Sequence, residues 1–237
     1  GGNVNVNSPY AILQIHLVLS IFFMFVTTAF VANVIVRDDE SGFGPMVKST
    51  RVSKFDYLMA RFLGAFVAAS IAFLVVPFAI WLGSLMPWVD KETVGPNVLA
   101  HYAFAWAVIA VPNIFLTSAI FFAVATLTRS MMYSYLGVVV FLVIYLVITG
   151  IVGSKPELRE LGAFVEPFGF GAIGNATRYW TAAERNALMP PLAGPLLWNR
   201  LIWMGVALAA LGFAYARFSF GDKGASKRAL ARQAKRE

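Results

Sequence analysis

The chain has 237 residues, 59% of them hydrophobic and only 13% charged, with a net charge of +7 and no cysteine. A soluble domain carries about 25% charged residues, so so few charges exclude a surface that faces water throughout and suit one that faces lipid. The missing cysteine excludes disulfides, thiolate metal sites and cysteine nucleophiles, and the basic residues lack the aromatic interleaving that nucleic-acid binding would need.

The chain opens on the polar stretch GGNVNVNSPY, which is no signal peptide. Five apolar runs follow, each long enough for a bilayer, which takes about 20 helical residues. They predict helices over about 11–36, 57–86, 99–127, 132–152 and 197–218. The expected fold class is therefore an all-α, polytopic transmembrane helical bundle. The first three runs exceed the bilayer thickness, so tilt or protruding ends are expected.

Five spans put the termini on opposite sides. On one side fall Arg37, Lys48, Arg51, Lys54, Arg61, Arg129, Arg217 and the six basic residues of the tail over 219–237; on the other fall Lys91, Lys155, Arg159, Arg178, Arg185 and Arg200. The positive-inside rule makes the first side cytoplasmic. That leaves the N-terminus outside and the C-terminus inside a bacterial inner membrane. Trp81, Trp88, Trp106, Trp180, Trp198 and Trp203 then gather near the outer ends, where an indole is half buried with its N–H wet. An outside N-terminus without a signal predicts a chain from which an earlier helix is missing, six spans in the intact module.

The first connector, over 37–56, contains GFGPMVKST, which partly matches the phosphate-binding pattern G-x-x-x-x-G-K-[ST] at Gly42, Lys48 and Ser49. Val47 stands where the second glycine is required, and Pro45 removes a backbone donor from the cradle. The stretch also follows a membrane helix rather than a strand. Nucleotide binding by this loop is rejected. The connector instead carries Arg37 and the acidic cluster Asp38, Asp39 and Glu40, then a turn at Gly42, Gly44 and Pro45. Ser53 and Asp56 have the spacing of a capping box that opens the next helix.

The stretch RDDESGFGPMVKSTRVSKFDYLMARFLGAF resembles the region between the second and third helices of ABC-2-type transporter permeases. The matching residues are Arg37, Glu40, Gly42, Ser49, Thr50, Val52, Ser53, Lys54, Tyr57, Leu58, Arg61, Phe62, Leu63 and Gly64, with Arg51 in place of the family's usual proline. VPNIFLTSAIFFAVATLTRS is similar to a later helix of the same family. EPFGFGAIGNATRYWTAAERN resembles a subgroup in which the permease is fused to an M1-family aminopeptidase domain, although no H-E-x-x-H occurs in this chain. The resemblance implies a separate ABC ATPase subunit and a second permease half as partners. It also implies an ATPase-coupling surface made by Arg37, Asp38, Asp39, Glu40, Lys48, Arg51, Ser53, Lys54, Asp56 and Tyr57. On that reading the loop touches the protein that binds ATP.

In the third span the Pro112–Asn113 pair lies mid-run and predicts a kink. The outer region over 153–196 is too apolar for a solvated loop, with Phe164, Phe168 and Phe170 among glycines. It predicts short interfacial or re-entrant helices at the outer face, which are tolerated at depth only inside protein. Glu184, Arg185 and Asn186 sit in a polar turn with Thr181 as N-cap; a structural role is favoured there over an outer-face gate. The basic tail over 219–237 suits anionic headgroups.

No catalytic motif, cofactor site or metal site is legible. His16 and His101 are isolated, Ser118 lacks a nucleophile frame, and the predicted spans contain no Asp or Glu. The missing carboxylate relay argues against a proton-coupled carrier. The expected function is the permease subunit of an ATP-driven exporter. The alternative is a membrane anchor or scaffold for an attached peptidase-like domain.

Overall fold

A computed structural model describes residues 3–40 and 52–218. Its described residues are helical with no strand. Among the described residues ten α-helices run in chain order: α1 (Pro9–Glu40), α2 (Lys54–Ala72), α3 (Val75–Ser84), α4 (Leu99–Phe104), α5 (Val111–Thr128), α6 (Met131–Ser154), α7 (Arg159–Val165), α8 (Phe170–Ala176), α9 (Ala182–Ala187) and α10 (Gly194–Arg217). Five stretches are long and apolar enough to cross a membrane: Pro9–Arg37, Lys54–Ser84, Leu99–Thr128, Met131–Ser154 and Gly194–Arg217. The protein is a multi-pass, all-α membrane bundle.

The third span is its axis. In its most apolar window 61% of residues are buried, against 11% in the fourth span, and α1, α2, α6 and α10 all pack on α5. In lipid the tails are as apolar as the side chains, so close packing rather than water exclusion holds helices together. The sequence supplies small residues and interlocking rings for that. Ala119, Ala123 and Ala125 let neighbours approach α5, while Phe62 meets Phe115 and Phe122 edge-on at centroid distances of 5.6 and 5.5 Å.

Two spans are broken, side by side. The second span is interrupted after Ala72, and the carbonyl of Phe73, which the imino nitrogen of Pro77 cannot serve, accepts from Val76 N–H at 2.9 Å. The third span widens into a π-helical turn over Ala105–Ala110, just before Pro112. The kink expected at the Pro112–Asn113 pair is thus a π-turn, a usual answer to a missing donor. Ala69, Phe73 and Val76 pack with Ala110 and Ile114 in one buried cluster, and Trp106 Nε1 donates across it to the Ser70 carbonyl at 3.3 Å.

Helix boundaries differ from expectation in one consequential place. The first helix continues through Glu40, where the described stretch ends, instead of ending near Val36. Asp38, Asp39 and Glu40 therefore form the last turn of a helix rather than the start of a loop.

Hydrogen bonds fix which ends share a face. Asn5, Asn7, Gly95, Asn97 and Asn186 are tied together on one face, hereafter the N-terminal face. On the opposite face Lys54 lies 4.5 Å from the Tyr215 ring centroid, and Tyr57 stacks on Phe218.

Candidate functional site

Between the fourth and fifth spans the chain does not stay at the surface. Helices α7 and α8 form a short hairpin whose turn, Glu166–Gly169, enters the bundle. Phe168 is fully buried, with its ring edge-on to Tyr145 at 5.1 Å and to Phe141 at 6.3 Å. Tyr145 lies nine residues from the end of α6, about 14 Å along the helix at 1.5 Å per residue. The region expected to hold interfacial or re-entrant helices is therefore re-entrant at this turn.

A turn at that depth must find partners for its backbone, because lipid offers none. Three polar side chains from the spans and one from the turn supply them. Asn199 of α10 donates through Nδ2 to the carbonyls of Ala163, Phe164 and Glu166 at 3.1, 3.0 and 2.8 Å. Arg200 donates to the Pro167 carbonyl at 3.3 Å, and Asn113 of α5 donates to the Phe168 carbonyl at 3.0 Å. The Glu166 carboxylate accepts from Phe168 N–H at 2.9 Å and Gly169 N–H at 2.6 Å.

The same side chains also bond one another. Arg200 donates through Nη1 to Asn113 Oδ1 at 2.8 Å and through Nε to Asn199 Oδ1 at 3.1 Å. Asn113, Asn199 and Arg200 are at most 6% exposed, and Glu166 is 9% exposed. Glu166 is near enough for its negative charge to act on Arg200, without a direct ion-pair contact. The Tyr145 hydroxyl faces the same carboxylate.

Gly169 is required by two independent constraints. Its φ is +103°, a left-handed value that favours glycine, and a Cβ there would lie 2.6 Å from Arg200 Nη2. The arrangement contains no nucleophile–base pair. Its chemistry is to hold a polar turn inside the membrane and to tie the third span to the fifth.

The sequence reading counted Arg200 among the charges of the outer segments; the structure adds that its guanidinium lies inside the bundle, donating to the Pro167 carbonyl and to the Asn113 and Asn199 side-chain oxygens. Asn113 was read with Pro112 as a kink, and Asn199 and Glu166 were not singled out. A signal was present. EPFGFG puts a carboxylate among glycines and aromatics in an apolar segment, and Asn199–Arg200 interrupts the start of a span.

The expected coupling residues lie elsewhere, on the opposite face. Arg37 is exposed in the last turn of α1. Ser53 caps α2, its Oγ accepting from Asp56 N–H at 3.1 Å and donating to Asp56 Oδ2 at 2.6 Å. Lys54 and Tyr57 carry the ring contacts that close this face on α10. Asp38, Asp39 and Glu40 belong to α1, and Lys48 and Arg51 lie outside the described residues.

Glu184, Arg185 and Asn186 are brought together on α9. Thr181 and Glu184 make the full reciprocal capping box. The Glu184 carboxylate accepts from the Thr181 backbone N–H at 2.7 Å and from the Thr181 hydroxyl at 2.9 Å, and these bonds, the backbone one foremost, hold it below its ordinary range. Arg185 sits over the Tyr10 ring at 4.8 Å, while Asn186 accepts from Asn5 N–H and donates to the Asn3 carbonyl, both at 2.8 Å. Arg185 and Asn186 thus clamp the N-terminal segment to α9, while Glu184 caps that helix.

Among the described residues no group of three or more His, Asp or Glu could hold a metal. His16 Nε2 and Ser118 Oγ are buried without partners and far apart in sequence. Compared with known proteins, this chain matches no family model, no curated protein and no solved structure.

Proposed function

We propose that this chain is the transmembrane permease of an ATP-driven ABC-2-type exporter, working with a separate ABC ATPase subunit and a second permease half. The observation that supports the reading most is the re-entrant hairpin α7–α8, held between the third, fourth and fifth spans. The family resemblance implies such a pair at that point of the chain.

On this reading the face with Arg37, Ser53, Lys54, Asp56 and Tyr57 is cytoplasmic, as the distribution of basic residues requires, and the N-terminal face is outside. The end of α1 and the start of α2 receive the ATPase. Because Asp38, Asp39 and Glu40 continue α1, a push on them acts along a helix that packs on α5 and, further along, on the π-turn of the same span. The fourth span, left bare by its own bundle, faces the second half or lipid. Glu184, Arg185 and Asn186 stand where an outer gate would close.

The test is purification of the full-length parent in mild detergent, with identification of what accompanies it. A stoichiometric P-loop ATPase is expected. Exchange of Asp38, Asp39 and Glu40 for lysine should then abolish stimulation of its ATP hydrolysis while the spans remain folded. Absence of any ATPase would favour a membrane scaffold for an attached domain.

A further inference from the structure

A groove of about 580 Å³ runs between α6, the re-entrant hairpin and α10. Its walls include Phe141, Ile144 and Ile148 of α6, Phe170 of α8 and Trp203 of α10, and Arg159 stands at its rim. A ligand pocket is typically about 300–1,000 Å³ with a largely apolar wall. This groove fits that description, and none of the hydrogen bonds of the buried polar turn depends on its being filled.

Its position says what fills it. Ile144 and Ile148 are 53% and 48% exposed on the barest span, so the groove opens sideways into the bilayer rather than into water. Along α6 the wall reaches from Gly153 to Phe141, about 18 Å at 1.5 Å per residue. One leaflet of hydrocarbon is about 15 Å deep, half of the ~30 Å core. The groove is therefore as deep as one leaflet, with its mouth at the headgroup level, where the fourth span ends.

The polar groups in the wall are few and uneven. Glu166 already accepts backbone N–H groups and faces Arg200. Arg159 is exposed and has no ion-pair or hydrogen-bond partner among the described residues. Lys155 is exposed one turn earlier; Glu157 and Glu160 are exposed too but are not part of the wall.

We propose that this groove binds an anionic phospholipid of the leaflet on the N-terminal face, one acyl chain lying along Ile148 and Phe141 and the phosphate meeting Arg159. The site stands on the membrane-spanning fold alone and does not depend on the transport reading.

The experiment is native mass spectrometry of the protein released from mixed micelles containing equal phosphatidylglycerol and phosphatidylcholine. The wild type should retain phosphatidylglycerol in preference to phosphatidylcholine. Arg159→Ala, a change at an exposed rim, should reduce that preference about five-fold, the effect of one interfacial cation. Gly153→Leu fills the mouth; a Cβ at Gly153 meets no atom within 4 Å, so the fold should tolerate it. It should reduce retention of both lipids. A thermal midpoint measured without added lipid checks the fold of each variant, and Arg159→Ala decides alone if Gly153→Leu does not fold. Equal retention and equal preference in the wild type and Arg159→Ala would overturn the proposal. So would an Ile148→Cys protein, in this otherwise cysteine-free chain, that crosslinks between two copies with no lipid retained, because a second copy would then occupy the groove.

Discussion

Arg200 and Asn113 lie 87 positions apart in the chain and meet through a 2.8 Å bond from Nη1 to Oδ1 inside the membrane bundle. Each is also committed to the re-entrant turn, Arg200 through the Pro167 carbonyl and Asn113 through the Phe168 carbonyl. The third span, the fifth span and the turn are thus one hydrogen-bonded unit. Movement of any one of them must either carry the others along or break buried bonds.

Asn113→Ala should expose that dependence. It removes the Arg200 acceptor and leaves the Phe168 carbonyl unpaired in a site where water is scarce. The expected loss is about 2–3 kcal/mol, the scale for orphaning buried groups and a bond to a charge. Thermal unfolding in detergent would measure it. A midpoint equal to the wild type would mean that the turn finds other partners.

Glu166→Gln keeps the size of the side chain but replaces an accepting oxygen with a donating amide. One of the N–H groups of Phe168 and Gly169 would then face a donor, and Arg200 would lose its buried counter-charge. Leaving a buried N–H without its acceptor costs about 1–3 kcal/mol. The variant should be less stable than the wild type, and limited proteolysis should cut within 163–171 where the wild type resists.

Two glycines of α8 make a paired test of the hairpin's close approach. A Cβ at Gly171 would lie 2.5 Å from the Gly162 carbonyl oxygen and 3.1 Å from Ala163 Cα, both backbone atoms of α7. Gly171→Ala should therefore push the two helices apart and cost about 1–3 kcal/mol, as overpacking does. A Cβ at Gly174 meets nothing within 4 Å. Gly174→Ala should instead stabilise by up to ~1 kcal/mol, the helix-propensity difference. The same thermal assay should move in opposite directions for the two changes.

Glu184 predicts an acid-sensitive clamp. Its carboxyl is held below the ordinary glutamate range, first by the Thr181 backbone N–H and then by the Thr181 hydroxyl. A carboxylate depressed in the folded state contributes stability that is present above its unfolded pKa and is lost as pH falls through its folded pKa. The clamp should thus be intact at neutral pH and loosen below the ordinary carboxylate range. Exchange of the Thr181 amide, measured relative to exposed amides, should speed up at pH 3 and not at pH 6. Glu184→Gln should flatten that difference.

Much of the architecture was legible in composition and run length. Five apolar runs gave five spans, because a backbone in lipid has few alternatives to a helix. Ser53 and Thr181 were legible as caps, because a cap is a local bond across three residues. The polar centre was not legible. Asn113, Glu166 and Asn199–Arg200 are scattered over the chain, and nothing local marks them as partners. The groove beside Trp203 was equally hidden, because its walls come from three separate helices.

The amino-acid order determined by itself that this protein spans a membrane, where its helices run and how they begin, since hydropathy and capping act over a few residues. The apolar segment after the fourth span was legible as interfacial or re-entrant, but only the three-dimensional packing decided that its turn at Glu166–Gly169 enters the bundle. Its backbone groups had to find partners out of water, and only side chains distant in the chain could reach them. That packing also decided that Arg200, which the sequence marks only as a charge near the start of a span, is a buried donor, because three neighbouring carbonyl and amide oxygens offset the loss of its hydration.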